Sequence, residues 1–266
     1  MIKLTIKKKV KKPLRKASGS KSDLELPTEM TTGKVSLSKI RMLLYGPPKI
    51  GKTTLASGWP GALFLATEKG YEAIKIYKKD VTSWQFFKDL VDVIVAGDHE
   101  FKTIVIDTAD LLFKLCNDAM CQELDIAHVS DEDWGKGYDI VANEFERVIN
   151  KLFMSDYGLI LISHTKIQDL VSRTGKLSKV TPTLSNQARR IIIPKVSVIG
   201  SMKLKLIKVS SDKYIEKRVV SFLPSEIEEA GDRDGKLPSE LTVAKDPHKT
   251  YQLFDDYYSG RKEVKG

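Results

Sequence analysis

The stretch "GPPKIGKTT", Gly46–Thr54, decides the fold. Gly46, Gly51, Lys52 and Thr53 satisfy the spacing G-x-x-x-x-G-K-[ST]. Two glycines let the backbone curl so that successive N–H groups point at one place, which suits phosphate oxygens. A lysine at the seventh position reaches the terminal phosphates, and the following hydroxyl can ligate Mg²⁺. An apolar run, "IRMLLYG" (Ile40–Gly46), precedes the loop and reads as a buried strand, and helix is expected from Thr53 to near Gly58. Strand, glycine-rich loop and helix N-terminus together make a phosphate cradle. Its residues are Gly46, Pro47, Pro48, Lys49, Ile50, Gly51, Lys52, Thr53 and Thr54. The ligand this implies is ATP with Mg²⁺.

Downstream, apolar runs alternate with helical patterns. "ALFLAT" (Ala62–Thr67), "TIVIDT" (Thr103–Thr108) and "GLILISH" (Gly158–His164) read as strands. Ser83–Gly97 is a helix with a serine cap and a terminal glycine, and helices are expected over about 109–124 and 138–154. Such alternation predicts an α/β fold with a mostly parallel, twisted sheet flanked by helices. Beyond His164 the chain turns polar and basic over 165–190. Two later runs with partly alternating apolar residues, joined through "SSDK", predict late antiparallel strands. The expected division is a basic, disordered tail over 1–33, an ATPase core over 34–223 and an irregular charged segment over 224–266.

Three strand ends carry candidate chemistry. Asp107, closing "TIVID", can hold Mg²⁺ through water; otherwise it caps the next helix. Thr108 follows it, where many ATPases place a catalytic glutamate. Glu68, just past "ALFLAT", is the alternative base, at the edge where open α/β sheets bind ligands. His164 ends its strand at the same edge and can hydrogen-bond a γ-phosphate and report its loss to the next segment.

The 266 residues carry a net charge of +9. Nine of the 44 basic residues fall within 1–22, where there is no acid, so the rest of the chain matches its 35 acids with as many bases. The charge therefore belongs to a tail, which can stay solvated or attach to a polyanion by counterion release. Cys116 and Cys121 form neither a zinc pattern nor a redox pair, and no apolar run reaches the ~20 residues a membrane span needs. The N-terminus has no apolar stretch behind its charge, unlike a secretory signal. A reducing, cytoplasmic setting without membrane contact is expected.

In this order the four elements resemble the RecA-like core. "GPPKIGKTT" matches its Walker A motif, "FLATE" the strand ending in its catalytic glutamate, "TIVIDTAD" its Walker B motif and "LILISHTK" its sensor strand. From about Gly33 to Glu240 the chain further resembles small phage-encoded ATPases, the single-strand annealing proteins of the Sak group. The residues carrying that likeness are "KIRMLLYGPPKIGKTTLAS", "WGKGY" (Trp134–Tyr138), "ISHTK" and "AGDRDGKLPSEL" (Ala230–Leu241). The resemblance implies ATP-modulated binding and annealing of single-stranded DNA in recombination, homo-oligomers, a single-strand-binding protein as partner and a bacterial host cytoplasm. It implies Lys52, Glu68 and His164 as catalytic residues and Thr53 and Asp107 as metal holders. The loop after the sensor touches DNA in such proteins; here it offers Lys166, Arg173, Lys176, Lys179, Arg189 and Arg190 against one acid, Asp169. Arg233 and Lys236 are candidates for reaching a neighbouring subunit's γ-phosphate. A helicase or helicase loader, or a nucleotide-dependent switch with a protein partner, uses the same cradle. A small-molecule kinase fits less well, because no arginine-rich lid segment is evident.

Overall fold

The computed structural model describes residues 28, 30, 36–132, 135–172, 175–210 and 213–264. Nearly all of the basic tail, together with Trp134 and Arg173, lies outside the described residues. Residues 35–266 form one compact unit.

The sheet is built on β1 (Arg41–Tyr45), β2 (Ala62–Ala66), β4 (Thr103–Asp107) and β5 (Gly158–Ser163), joined at one edge by a short exposed strand, β3 (Tyr77–Asp80). All of these pair in parallel. On the other side of β1 stands β8 (Val198–Ser210), parallel to it, followed by the antiparallel β9 (Lys213–Ser221) and β11 (Glu240–Thr242). Among the described residues the order is β11-β9-β8-β1-β5-β4-β2-β3, with β10 (Gly231–Asp232) pairing on β8. The late antiparallel pair is thus present and widens the parallel sheet. A separate two-stranded sheet is made by β6 (Thr165–Ser172) and β7 (Gly175–Pro182).

Successive residues of a strand point to opposite faces, and both faces are covered. Leu43, Leu65, Ile106 and Leu161 pack beneath α2 (Trp84–Ala96), α3 (Ala109–Glu123), α4 (Lys136–Phe153) and α5 (Asn186–Ile192). Met42, Leu44, Phe64, Val105 and Ile162 pack on the opposite face with α1 (Lys52–Ala56) and α6 (Pro247–Tyr258). That two-sided cover explains why the strands read as unbroken apolar runs. The Ser83 hydroxyl accepts from Phe86 N–H and Gly97 closes α2 at φ 81°. Arg41 clamps the C-terminal end of α4, donating to the carbonyls of Phe153, Ser155 and Tyr157.

Two stretches depart from the sequence reading. Residues 165–190 are the β6–β7 hairpin and α5, not a loop. Residues 224–266 contain β10, β11 and α6, not an irregular segment; Phe254 and Tyr258 of α6 are buried against Trp59, Phe222 and Leu37. Asp246 caps α6 and Pro247 opens it.

Candidate functional site

β1 delivers the chain into the cradle at the sheet's C-terminal edge. Gly46 passes so close to β8 that an added Cβ would lie 2.5 Å from the Met202 carbonyl oxygen. Gly51 has φ 103°, a left-handed conformation that favours glycine, and Lys49 is also left-handed at φ 62°. The chain therefore turns twice within the loop before α1 begins. The Lys52 ammonium folds back over it and donates to the carbonyls of Gly46 and Pro47, both at 2.9 Å. It is a buried cation held by neutral acceptors, and burial lowers its pKa despite the nearby charges of Asp107, Glu68 and Asp110.

Asp107, at the end of β4, is 4 % exposed, and burial raises its pKa. Thr53 Oγ1 donates to its Oδ2 at 2.7 Å. A hydroxyl and a carboxylate side by side are hard oxygen ligands of the kind Mg²⁺ takes from protein, leaving its other positions to phosphate and water. The residues present therefore fit the ion. Tyr71, buried, donates to the Asp107 carbonyl at 3.0 Å. Thr67 and Thr108 lace the ends of β2 and β4 together through Thr67 N–H to the Asp107 carbonyl at 2.8 Å and Thr108 N–H to Thr67 Oγ1 at 2.8 Å. The Asp107–Thr108 peptide is cis.

That lacing aims Glu68 inward. Its Oε1 accepts from Thr108 Oγ1 at 3.3 Å and lies 3.1 Å from His164 Nε2. On the other side of the ring, His164 Nδ1 lies 3.5 Å from the Lys52 ammonium. An ammonium can only donate, so Nδ1 accepts and the Nε2–H donates to Glu68. Lysine, histidine and glutamate thus form one chain of contacts across the edge of the sheet. About a third of the Glu68 and His164 side chains is exposed, so a ligand can reach both.

Asp110, in the first turn of α3, braces the histidine from behind. It accepts from Ser163 Oγ at 3.0 Å and from His164 N–H at 3.3 Å, and burial raises its pKa. The β6–β7 hairpin is rooted at the same point. β6 begins at Thr165, and just past β7 the Thr183 N–H donates to the His164 carbonyl at 3.0 Å. A shift at His164 therefore acts on both legs of the hairpin.

The structure brings Lys52, Thr53, Glu68, Asp107 and His164 together. The basic residues of the following segment are dispersed. Lys166 and Lys179 lie on one face of the hairpin by register, and Lys176 lies on β7 at a position of the other face. Arg189, on α5, is bound to both Glu229 carboxylate oxygens at 2.7 and 2.9 Å, so it is not a free cation for DNA; Arg190 beside it is exposed. Arg233 and Lys236 follow β10, which pairs with the first residues of β8, away from the chain's own cradle. The Arg233 guanidinium donates to the Pro194 carbonyl at 2.7 Å.

Asp110, Tyr71 and Arg218 were missed from sequence. An acid three residues after Asp107 in a helix's first turn was a usable signal for Asp110. Tyr71 and Arg218 carried none, since only the fold brings them to the site. Arg218, on β9, places Nη1 2.7 Å from where a Gly51 Cβ would stand.

A parallel sheet with a cradle after β1, a metal-type carboxylate after β4 and a base-type carboxylate after β2 defines the class of P-loop nucleotide-binding domains. The chain belongs to the AAA domain family, whose pattern matches residues 38–233. Curated proteins give no match. Similar solved structures include an ATPase domain that matches at 12% identity over 79% of this chain and 84% of that one, with a TM-score of 0.40. The flagellar accessory protein FlaH from Methanocaldococcus jannaschii has 11% identity over 69% and 77%, with a TM-score of 0.34. The Legionella pneumophila ATPase DotB has 9% identity over 84% and 52%, with a TM-score of 0.29. Among the described residues, no helix is long and apolar enough to cross a membrane.

Proposed function

We propose that this chain is an ATPase of the RecA-like class that uses ATP to change its grip on single-stranded DNA, in strand annealing of the phage recombination type. One observation carries the reading. In this reading His164 feels a terminal phosphate, and the same residue is the hydrogen-bonded root of the β6–β7 hairpin that carries Lys166 and Lys179.

In the proposed reaction Lys52 exchanges the Gly46 and Pro47 carbonyls for the β- and γ-phosphates. Mg²⁺ between Thr53 and Asp107 would supply positive charge to the phosphate oxygens. Glu68 takes a proton from the water that attacks the γ-phosphorus, and the β–γ bridging oxygen leaves with ADP. His164 gives up Glu68 to face the γ-phosphate and returns when it has gone. That exchange shifts the hairpin root and with it the lysines that hold DNA phosphates. Homo-oligomers and a single-strand-binding protein as partner belong to the same proposal.

A second reading rests on Ile167, 71 % exposed on the hairpin face opposite Lys166. An apolar side chain there fits a protein partner, and the same histidine would then switch a protein contact.

The test is ATP hydrolysis with and without single-stranded DNA, with Lys52→Ala as control and annealing of complementary strands in the same reactions. DNA-stimulated hydrolysis with ATP-dependent annealing is expected, and charge reversal at Lys166 and Lys179 should remove the stimulation. Hydrolysis with no DNA binding at low salt would favour the protein-directed switch.

A further inference from the structure

The β8–β9 hairpin runs past the sheet. β8 pairs with β1 only as far as Tyr45↔Ser201, yet β8 and β9 stay paired to Ser210↔Lys213. The outer half stands beyond the edge on which the cradle lies. Met202, Leu204 and Arg218 share one face of it by register, the face whose inner residues Met202 and Val220 join the core with Ile50. That face meets the cradle, with Met202 against Gly46 and Arg218 against Gly51.

Arg218 is half-buried, and among the described residues its guanidinium has neither a carboxylate nor a hydrogen-bond partner. On the strand opposite, Lys203 pairs with Glu228 at 2.5 Å and Lys205 with Glu240 at 2.9 Å. The guanidinium offers five donors in a planar fork that matches phosphate.

Strand order says which part of a nucleotide that is. Glu68, Asp107 and His164 follow β2, β4 and β5, all on one side of β1; Arg218 lies on the other. A triphosphate with its terminal phosphate at Lys52 and His164 extends its opposite end toward β8 and β9. Leu204, directly across from Arg218 and 53 % exposed, adds apolar surface there.

We infer that Arg218 holds the α-phosphate end of a nucleotide bound by its own chain, with Leu204 beside it as a contact for the nucleoside. The inference rests on the nucleotide reading above and assigns Arg218 to binding and not to the chemical step. ATP and ADP share the α-phosphate, so both should depend on Arg218 equally.

Calorimetric titration of the full chain with Mg-ATP and Mg-ADP tests this for wild type, Arg218→Ala and Arg218→Lys, with thermal unfolding of each ligand-free protein as a fold control. Arg218→Ala should weaken both nucleotides by about tenfold or more, with the loss equal for the two. Arg218→Lys should recover part of the affinity. Unchanged affinities in Arg218→Ala overturn the inference alone. A wild-type chain that binds neither nucleotide overturns the nucleotide reading and this inference with it.

Discussion

In the proposed reaction Lys52, Glu68 and Asp107 divide the work of the site by what each side chain can do. Lys52→Ala removes the ammonium over the cradle, so nucleotide binding and hydrolysis should both be lost in titration and phosphate-release assays. Glu68→Gln keeps the shape but cannot take a proton; binding should persist while kcat falls about 10²- to 10⁴-fold. Asp107 sets a pH dependence whose sign follows from its burial. Its folded pKa is raised, so between the ordinary carboxylate range and that raised value the folded chain holds more protons than the unfolded one. Ligand-free stability therefore falls as pH rises through that window. Only the anion holds a cation, so Mg-nucleotide affinity should move the opposite way and be lost as pH falls through the same window. Melting temperatures with and without Mg-ADP across mildly acidic to neutral pH check both. The ligand-induced rise should grow with pH, and Asp107→Asn should flatten it while raising ligand-free stability at neutral pH.

At the scale of elements, α6 holds the far end of α1. An added Cβ on Gly58, at the turn after α1, would lie 2.3 Å from the Pro247 carbonyl oxygen, backbone that cannot swing aside. Trp59 then packs edge-on against Phe254, with ring centroids 5.1 Å apart. Gly58→Ala should therefore destabilise by about 1–3 kcal/mol through overpacking, and Phe254→Ala by about 3–5 kcal/mol through the cavity it leaves. Both are measurable by denaturant unfolding, and because α1 carries Lys52 and Thr53, both should weaken nucleotide binding as well. The strands and helices bearing the cradle were legible in sequence, because buried parallel strands are short apolar runs and α2 has both its caps. α6 carried comparable marks, an aspartate cap, a proline at its first position and Tyr251, Phe254 and Tyr258 at helical spacing, but these sit in a charged stretch that masked them. The β6–β7 hairpin was hidden for a different reason. Polar residues at Lys166, Gln168, Asp169, Ser178 and Lys179 interrupt the apolar alternation that marks a strand with one buried face. The convergence of Glu68, Asp107 and His164 could be read from strand ends, whereas Arg218 reaches Gly51 across 167 positions and no local pattern announces it.

At the scale of the whole molecule, charge is divided between a basic tail and a balanced remainder, and the two should hold a polyanion differently. Nine bases within residues 1–22 can each displace a counterion wherever they meet a strand, without regard to the state of the cradle. In the proposed function Lys166 and Lys179 are coupled to His164 through the hairpin root, so their contribution should follow the bound nucleotide. Salt titration separates the two, because log K falls with log salt by about 0.7 per phosphate contact on single strands. Replacing the nine bases by glutamine in the full-length chain should lower the slope by several such steps and weaken single-strand binding equally with ATP and with ADP. Replacing Lys166 and Lys179 by glutamate should lower the slope by about one or two contacts, and only in the nucleotide state that grips. The difference in affinity between ATP and ADP should survive the tail substitution and vanish in the hairpin variant. If it instead vanishes with the tail and survives in the hairpin variant, the hairpin is not the element that ATP moves.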